Sequence, residues 1–142
     1  MSLERLIAEH DEIEALAALI ERLAAAPLAD AAAVASLLGA LAIAIADHRG
    51  NEQRSVYLRL LNGRDSAASR LASSFADEYR GLEQDLEIYL SDWTAECIAA
   101  DWETFGAETT AILTRMRHRV ARESAVVYPL ALQRGAVRLR AG

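Results

Sequence analysis

The sequence predicts an all-α protein built as an up-down-up-down antiparallel four-helix bundle. Three observations carry this. The composition is 53% hydrophobic but only 6% aromatic, and its apolar residues are mostly Ala, Leu, Ile and Val, a helix-forming profile. Apolar residues recur at spacings of three and four, and nothing alternates with the two-residue period of a strand. The breaks between the periodic segments are short, which favours antiparallel neighbours. At 142 residues the chain is the size of one domain, and folding buries roughly two thirds of the surface of such a chain. Residues 1–134 are expected to form the bundle and 135–142 a short basic, frayed tail.

Helices are expected at about 3–25, 30–62, 66–99 and 102–133. The first carries the stripe Leu3, Leu6, Ile7, His10, Ile13, Ala17, Ile20, Leu23, which sets a histidine in register with aliphatic neighbours. Pro27 stops it and Asp30 caps the next. The second reads Val34, Leu37, Leu41, Ile45, His48, Glu52, Val56, and Asn62-Gly63 should end it with a left-handed cap. Asp65 or Ser66 begins the third, with Leu71, Phe75, Tyr79, Leu82, Leu86, Leu90 and Trp93 on its apolar face. The fourth, capped by Asp101, carries Phe105, Ile112, Met116, Val120, Glu123, Val127 and Leu130. The boundary at Ala99 to Asp101 rests on a change of apolar phase, because no Gly or Pro stands there.

The formal charge of −6, from 21 acidic and 15 basic residues, argues against a nucleic-acid partner. The single cysteine, Cys97, excludes an internal disulfide framework and a CxxC pair, and fits a reducing cytoplasm. Glu4, Glu9, Asp11 and Glu12 come too early for a signal peptide. The longest uncharged run, Ala31 to Ala46, falls short of the roughly 20 residues that cross a bilayer, so no membrane is expected and the run reads as a deeply packed helix.

The chemistry lies in the histidines. His10, His48 with Glu52 four residues on, and His118 with Glu123 five residues on all interrupt apolar stripes. At about 1.5 Å of rise per residue, distances from the predicted breaks place them, with Tyr79, at one level of the bundle. Burying carboxylates and imidazoles together costs several kcal/mol per uncompensated charge, roughly, and a cation is the economical compensation. Imidazole nitrogen and carboxylate oxygen suit iron, zinc and manganese, and a carboxylate can bridge two ions. No cysteine stands near enough for a thiolate zinc site.

The order His, then HxxxE, then HxxxxE over helices one, two and four resembles the hemerythrin-like cation-binding domain, from Leu6 to Leu132. The phrases Glu9-His10-Asp11 and Glu123-Ser124-Ala125-Val126-Val127-Tyr128-Pro129-Leu130 match its style. The resemblance implies an iron pair: His10 and His48 as terminal ligands of one ion, His118 of the other, and Glu52 and Glu123 as bridges. It also implies dioxygen or a related small ligand as partner, and a role in binding or sensing dioxygen, iron or redox state rather than an enzyme activity.

Helix three departs from the pattern, with Tyr79 and Glu83 where the family supplies histidine. Three outcomes follow: a rearranged pair with Tyr79 or Glu83 as ligand, a single metal on His10, His48 and a glutamate, or a lost metal. In the last case the chain is a metal-free regulatory or protein-interaction module. Taken singly, each histidine is more often a hydrogen-bonded core residue than a ligand, and Tyr79 can equally be a buried phenol bonded to Glu52 or Glu123. Glu83 can equally face solvent. A ferritin-like di-iron oxidase is disfavoured, because Ile7, Ile45 and Arg115 stand where Glu-x-x-His would need glutamate. Five residues on a regular helix turn His118 and Glu123 about 140° apart, so an irregularity is expected between Met116 and Glu123. Gly50, between His48 and Glu52, is unfavourable in a helix by up to about 1 kcal/mol and is expected to make room for a close neighbour or a substrate path.

Overall fold

The computed structural model describes residues 1–26 and 30–140, and every regular element in it is helical. Pro27, expected to stop the first helix, lies outside the described residues. Helix α1 spans Leu3–Ala25 and begins at Ser2, whose side chain accepts the Arg5 N–H. Helix α2, Ala31–Glu52, is capped by Asp30, which accepts from the N–H groups of Ala32 and Ala33. It runs through a π-turn, Gln53–Tyr57, into α3, Leu58–Leu61. Helix α4, Ser66–Asp92, is capped by Asp65. A short α5, Ala95–Ala100, precedes α6, Trp102–Arg122, which Asp101 caps. A second π-turn, Glu123–Val127, leads into α7, Tyr128–Gln133.

Several expectations need correction. The third helix does not reach residue 99. It stops at Asp92, with Trp93 turned out of helical geometry (φ −93°, ψ 74°). Thr94 restarts the chain by accepting the Cys97 N–H, and the Trp93 indole donates to Glu108. Side-chain capping replaces the missing Gly or Pro there. Asn62-Gly63 does not form a left-handed cap: Asn62 is at φ −93°, ψ 0°, and Gly135 is the glycine with positive φ (70°) among the described residues. Gly63 serves by closeness, since a Cβ there would stand 3.2 Å from the Arg59 carbonyl oxygen. The left-handed cap is at Gly135, where the Ala136 N–H reaches back to the Ala131 carbonyl and closes α7.

Residues 135–140 do not fray. Ala136 and Val137 are buried, and Leu3 and Glu4 donate backbone N–H groups to Arg138 and Leu139 at 2.7 and 2.9 Å. The second helix is not deeply packed either. The run Ala31–Leu61 passes the length and apolarity of a membrane span, yet only 22% of its apolar window is buried. Val34, Leu38 and Leu41 make one narrow buried stripe, while Ala32, Ala33, Gly39, Ala40 and Ile43 face outward. Small residues lift mean hydropathy without supplying area to bury.

Helix α1 packs on α2 and α6, α4 on α6 and α2, and α5 on α2. The core divides into two apolar clusters. One runs from Ile13, Leu41 and Leu86 to Phe105 and Met116; the other gathers Leu6, Val56, Phe75, Val127 and Val137. On α1, α2 and α6 the residues between the two clusters are polar, and they form the site.

Candidate metal centre

The polar layer comes from three elements. Leu6 and Ile13 flank His10 on α1, Leu41 and Val56 flank His48 and Glu52, and Met116 and Val127 flank Arg119 and Glu123. Glu52 is fully buried, and the other four are at most 7% exposed.

Glu52 immediately precedes a π-turn and Glu123 opens one, and the turns explain the layer. Five residues of regular helix would turn Tyr57 about 140° from Glu52, whereas a wider turn returns it to the same face. Tyr57 and Tyr128 both come inward and exchange partners: Tyr57 donates its hydroxyl to Glu123 Oε2 at 2.6 Å, and Tyr128 donates to Glu52 Oε2 at 2.6 Å. The irregularity expected on the last helix therefore exists but lies one turn later. It aligns Glu123 with Tyr128 rather than with His118.

His48 donates from Nδ1 to Glu9 Oε1 (2.8 Å) and from Nε2 to Glu52 Oε2 (3.0 Å). Asn51 holds the other Glu9 oxygen at 2.8 Å. Burial alone would lower the His48 pKa, yet its hydrogen bonds to Glu52 and Glu9 hold it above the ordinary value. His10 behaves oppositely: burial and then the neighbouring His48 bring it down to about 4, so it is neutral. Because Tyr128 gives its one proton to Glu52, its oxygen accepts from His10 Nε2–H at 3.0 Å, and His10 Nδ1 accepts from Ser124 Oγ at 3.3 Å. Burial pushes the hydroxyls of Tyr57 and Tyr128 far up, reinforced by the two carboxylates, and both remain phenols. Within the carboxyl pair, burial and the charge of Glu52 raise Glu123, while the His48 hydrogen bond holds Glu52 down against burial. Within the pair, Glu52 is therefore the first to lose its proton.

The predicted residues are not all brought together. His10, His48 and Glu52 offer ligand atoms within 4.8 Å of one another, and Glu123 lies beside Glu52. His118 does not join them. It is exposed and lines a shallow cleft with Glu78, Leu82 and Thr114. The inward position one turn before Glu123 belongs to Arg119, not to His118, because Arg119 is four residues away and needs no helix distortion.

Tyr79 is buried, but its hydroxyl makes no hydrogen bond with the described residues, to Glu52 or Glu123 included. Its ring instead has the guanidinium carbons of Arg49 and Arg119 over it at 4.2 and 5.1 Å. Burial moves its pKa up to about 12. Glu83 is partly exposed and pairs with Arg49 at 3.6 Å. Arg49 also donates to Glu52 Oε1 at 3.2 Å. Gly50 lines an open cleft of ≈ 600 Å³ reaching Glu9 and His48, and the closest group to a Cβ there would be the Arg54 guanidinium at 3.3 Å.

Sequence reasoning missed Glu9, Arg49, Tyr57, Arg119 and the role of Tyr128. One signal was available for the tyrosines: Glu-x-x-x-x-Tyr occurs in both polar helices, at Glu52–Tyr57 and Glu123–Tyr128.

Two imidazoles and a carboxylate converging in an apolar bundle could hold a metal ion: the donors are the right types, and His48 Nε2 already lies 3.0 Å from the buried Glu52 carboxyl group. On fold and site this is an all-helical protein with a candidate cation site. The model of the hemerythrin HHE cation-binding domain matches residues 1–131, and the chain belongs to that family. No curated protein and no solved structure matches it.

Proposed function

We propose that the protein is a non-haem metal-binding protein of hemerythrin type, holding iron through His10, His48 and Glu52 and serving to bind or sense dioxygen, iron or redox state. The reading takes the four long helical runs as an up-down-up-down bundle around that layer. The observation that carries it is the convergence of two imidazoles and one buried carboxylate from α1 and α2. Iron, when bound, supplies an ion whose charge can change and which can take a small ligand.

The residues of the chain do the rest. Glu9 accepts from His48 Nδ1 and fixes the ring with Nε2 toward the pocket, and Asn51 steadies Glu9. Ser124 Oγ, 3.3 Å from His10 Nδ1, orients the second ring. To hold an ion, His48 Nε2 would give up its proton and the proton of neutral His10 would sit on Nδ1, donating to Ser124 Oγ, so that both Nε2 atoms offer lone pairs. Tyr128 then keeps a hydroxyl beside Glu52 and both rings. The cytoplasm is the place we propose, with Cys97 free and exposed.

The test is anaerobic addition of ferrous iron to purified protein, desalting and elemental analysis, then exposure to air. Retained iron and a visible absorption band are expected, and both should vanish in His10→Ala and His48→Ala. A second reading, a metal-free regulatory or protein-interaction module, is favoured by Arg49 and Arg119, which already pair Glu52 and Glu123. Absence of retained iron selects it.

A further inference from the structure

We propose that Arg119 is a resident cation of this centre, standing where a second ion would otherwise be held, so that the protein takes one metal ion per chain and not a pair. The inference rests on the metal-binding reading above and specifies its stoichiometry.

The argument begins with a repeated pattern. His48-x-x-x-Glu52-x-x-x-x-Tyr57 on one helix is matched by Arg119-x-x-x-Glu123-x-x-x-x-Tyr128 on another, each with a π-turn at the step from glutamate to tyrosine. The two copies exchange tyrosines across the layer, so the halves face each other with their glutamates adjacent. They differ in the residue one turn before the glutamate. In the first copy it is an imidazole, whose Nε2 has a lone pair to give once deprotonated. In the second it is a guanidinium, which offers only N–H donors and carries a charge that does not titrate in proteins.

Arg119 is also built in. Its Nη1 donates to the Phe75 carbonyl at 2.5 Å, and its Nη2 to the Tyr57 hydroxyl at 2.7 Å and more weakly to Glu123 Oε2 at 3.4 Å. The rings of Phe75 and Tyr79 each lie 5.1 Å from its guanidinium carbon. Its Nε is buried without a hydrogen-bond partner among the described residues. A buried charge with an unsatisfied N–H is costly, and the facing Glu52–Glu123 pair is the reason the fold keeps it.

Among the described residues, no further His, Cys, Asp or Glu joins Glu123 in that half of the site. His118 is exposed, Tyr79 turns its ring to two guanidinium groups, and Glu83 pairs with Arg49. An ion placed by Glu123 would meet the positive charge of Arg119 with one carboxyl to hold it.

The decisive measurement is iron per chain after anaerobic loading with ferrous iron and desalting. One ion per chain is expected. Two ions would overturn this inference while leaving the metal-binding reading intact; none would overturn both. In Arg119→His, which restores an imidazole to the pattern, capacity is expected to rise to two. A variant that keeps its helical circular dichroism and stays at one ion would refute the excluding role of Arg119. Because that variant can fail to fold, a metal-free thermal-melting cycle is run beside it. Arg119→Met should lower the melting midpoint, and Arg119→Met/Glu123→Gln should regain most of the loss. Simple additivity of the two changes would show that Arg119 is not the counter-charge of the carboxyl pair.

Discussion

The hydroxyl of Tyr128 stands 2.6 Å from Glu52 Oε2, joining the start of α7 to the end of α2 beside the rings of His10 and His48. The carboxylate it serves is fully buried. Hydrogen bonds to charged groups contribute roughly 1.5–3 kcal/mol. Tyr128→Phe in the metal-free protein should therefore lose stability of about that size in urea unfolding, with an unchanged m-value. A loss below about 0.5 kcal/mol would mean that His48 and Arg49 already satisfy Glu52.

Tyr79 offers a contrast. Its ring packs against two guanidinium groups and its hydroxyl has no hydrogen-bond partner among the described residues. Tyr79→Phe should change stability by no more than about 0.5 kcal/mol and leave the spectrum of iron-loaded protein as it was. Disappearance of an absorption band in that variant would make the phenol a ligand after all.

His118 is exposed, outside the layer. His118→Ala is expected to leave both melting and iron retention at the wild-type level, while His10→Ala and His48→Ala abolish retention. Equal loss in all three would place His118 back in the site.

The caps set a dependence on acid. Asp65 is held below the ordinary carboxylate range by the Ala68 N–H and Arg134, and Asp101 by its hydrogen bonds with Thr104. A carboxylate depressed in the folded state contributes stability that is present above its unfolded pKa, near 3.8, and is lost as pH falls through the lower folded value. Asp65→Asn/Asp101→Asn should melt below wild type at neutral pH, with the gap closing as the buffer is taken below about pH 4. A gap that stays constant would show that the two carboxylate charges do not matter.

Much of this was legible in the sequence, for identifiable reasons. His10, His48, Glu52 and Glu123 fall on apolar stripes, and the periodicity that buries aliphatic neighbours buries them too. His118 was misplaced because a histidine is the expected ligand type, whereas the residue next to it is a long cation that rarely enters a core. Only the facing carboxyl groups make an inward Arg119 reasonable, and those come from separate helices. The π-turn after Glu52 was hidden for a related reason. Hydrophobic phase before and after Glu52 is continuous only if one turn is widened, and regular periodicity has no term for that. The break at Trp93 depends on the Thr94 cap and the Trp93–Glu108 bond, neither of which leaves a Gly or Pro behind.

The division of the core by a charged stratum has a mechanical consequence. Leu6, Val56 and Val127 belong to one greasy end and Ile13, Leu41 and Met116 to the other, with the ionisable groups as the seam between them. Each end can in principle loosen on its own. An ion gripped from both α1 and α2 would rivet that seam, so amide exchange on the two sides should slow in step when the protein is loaded, and drift apart when it is stripped.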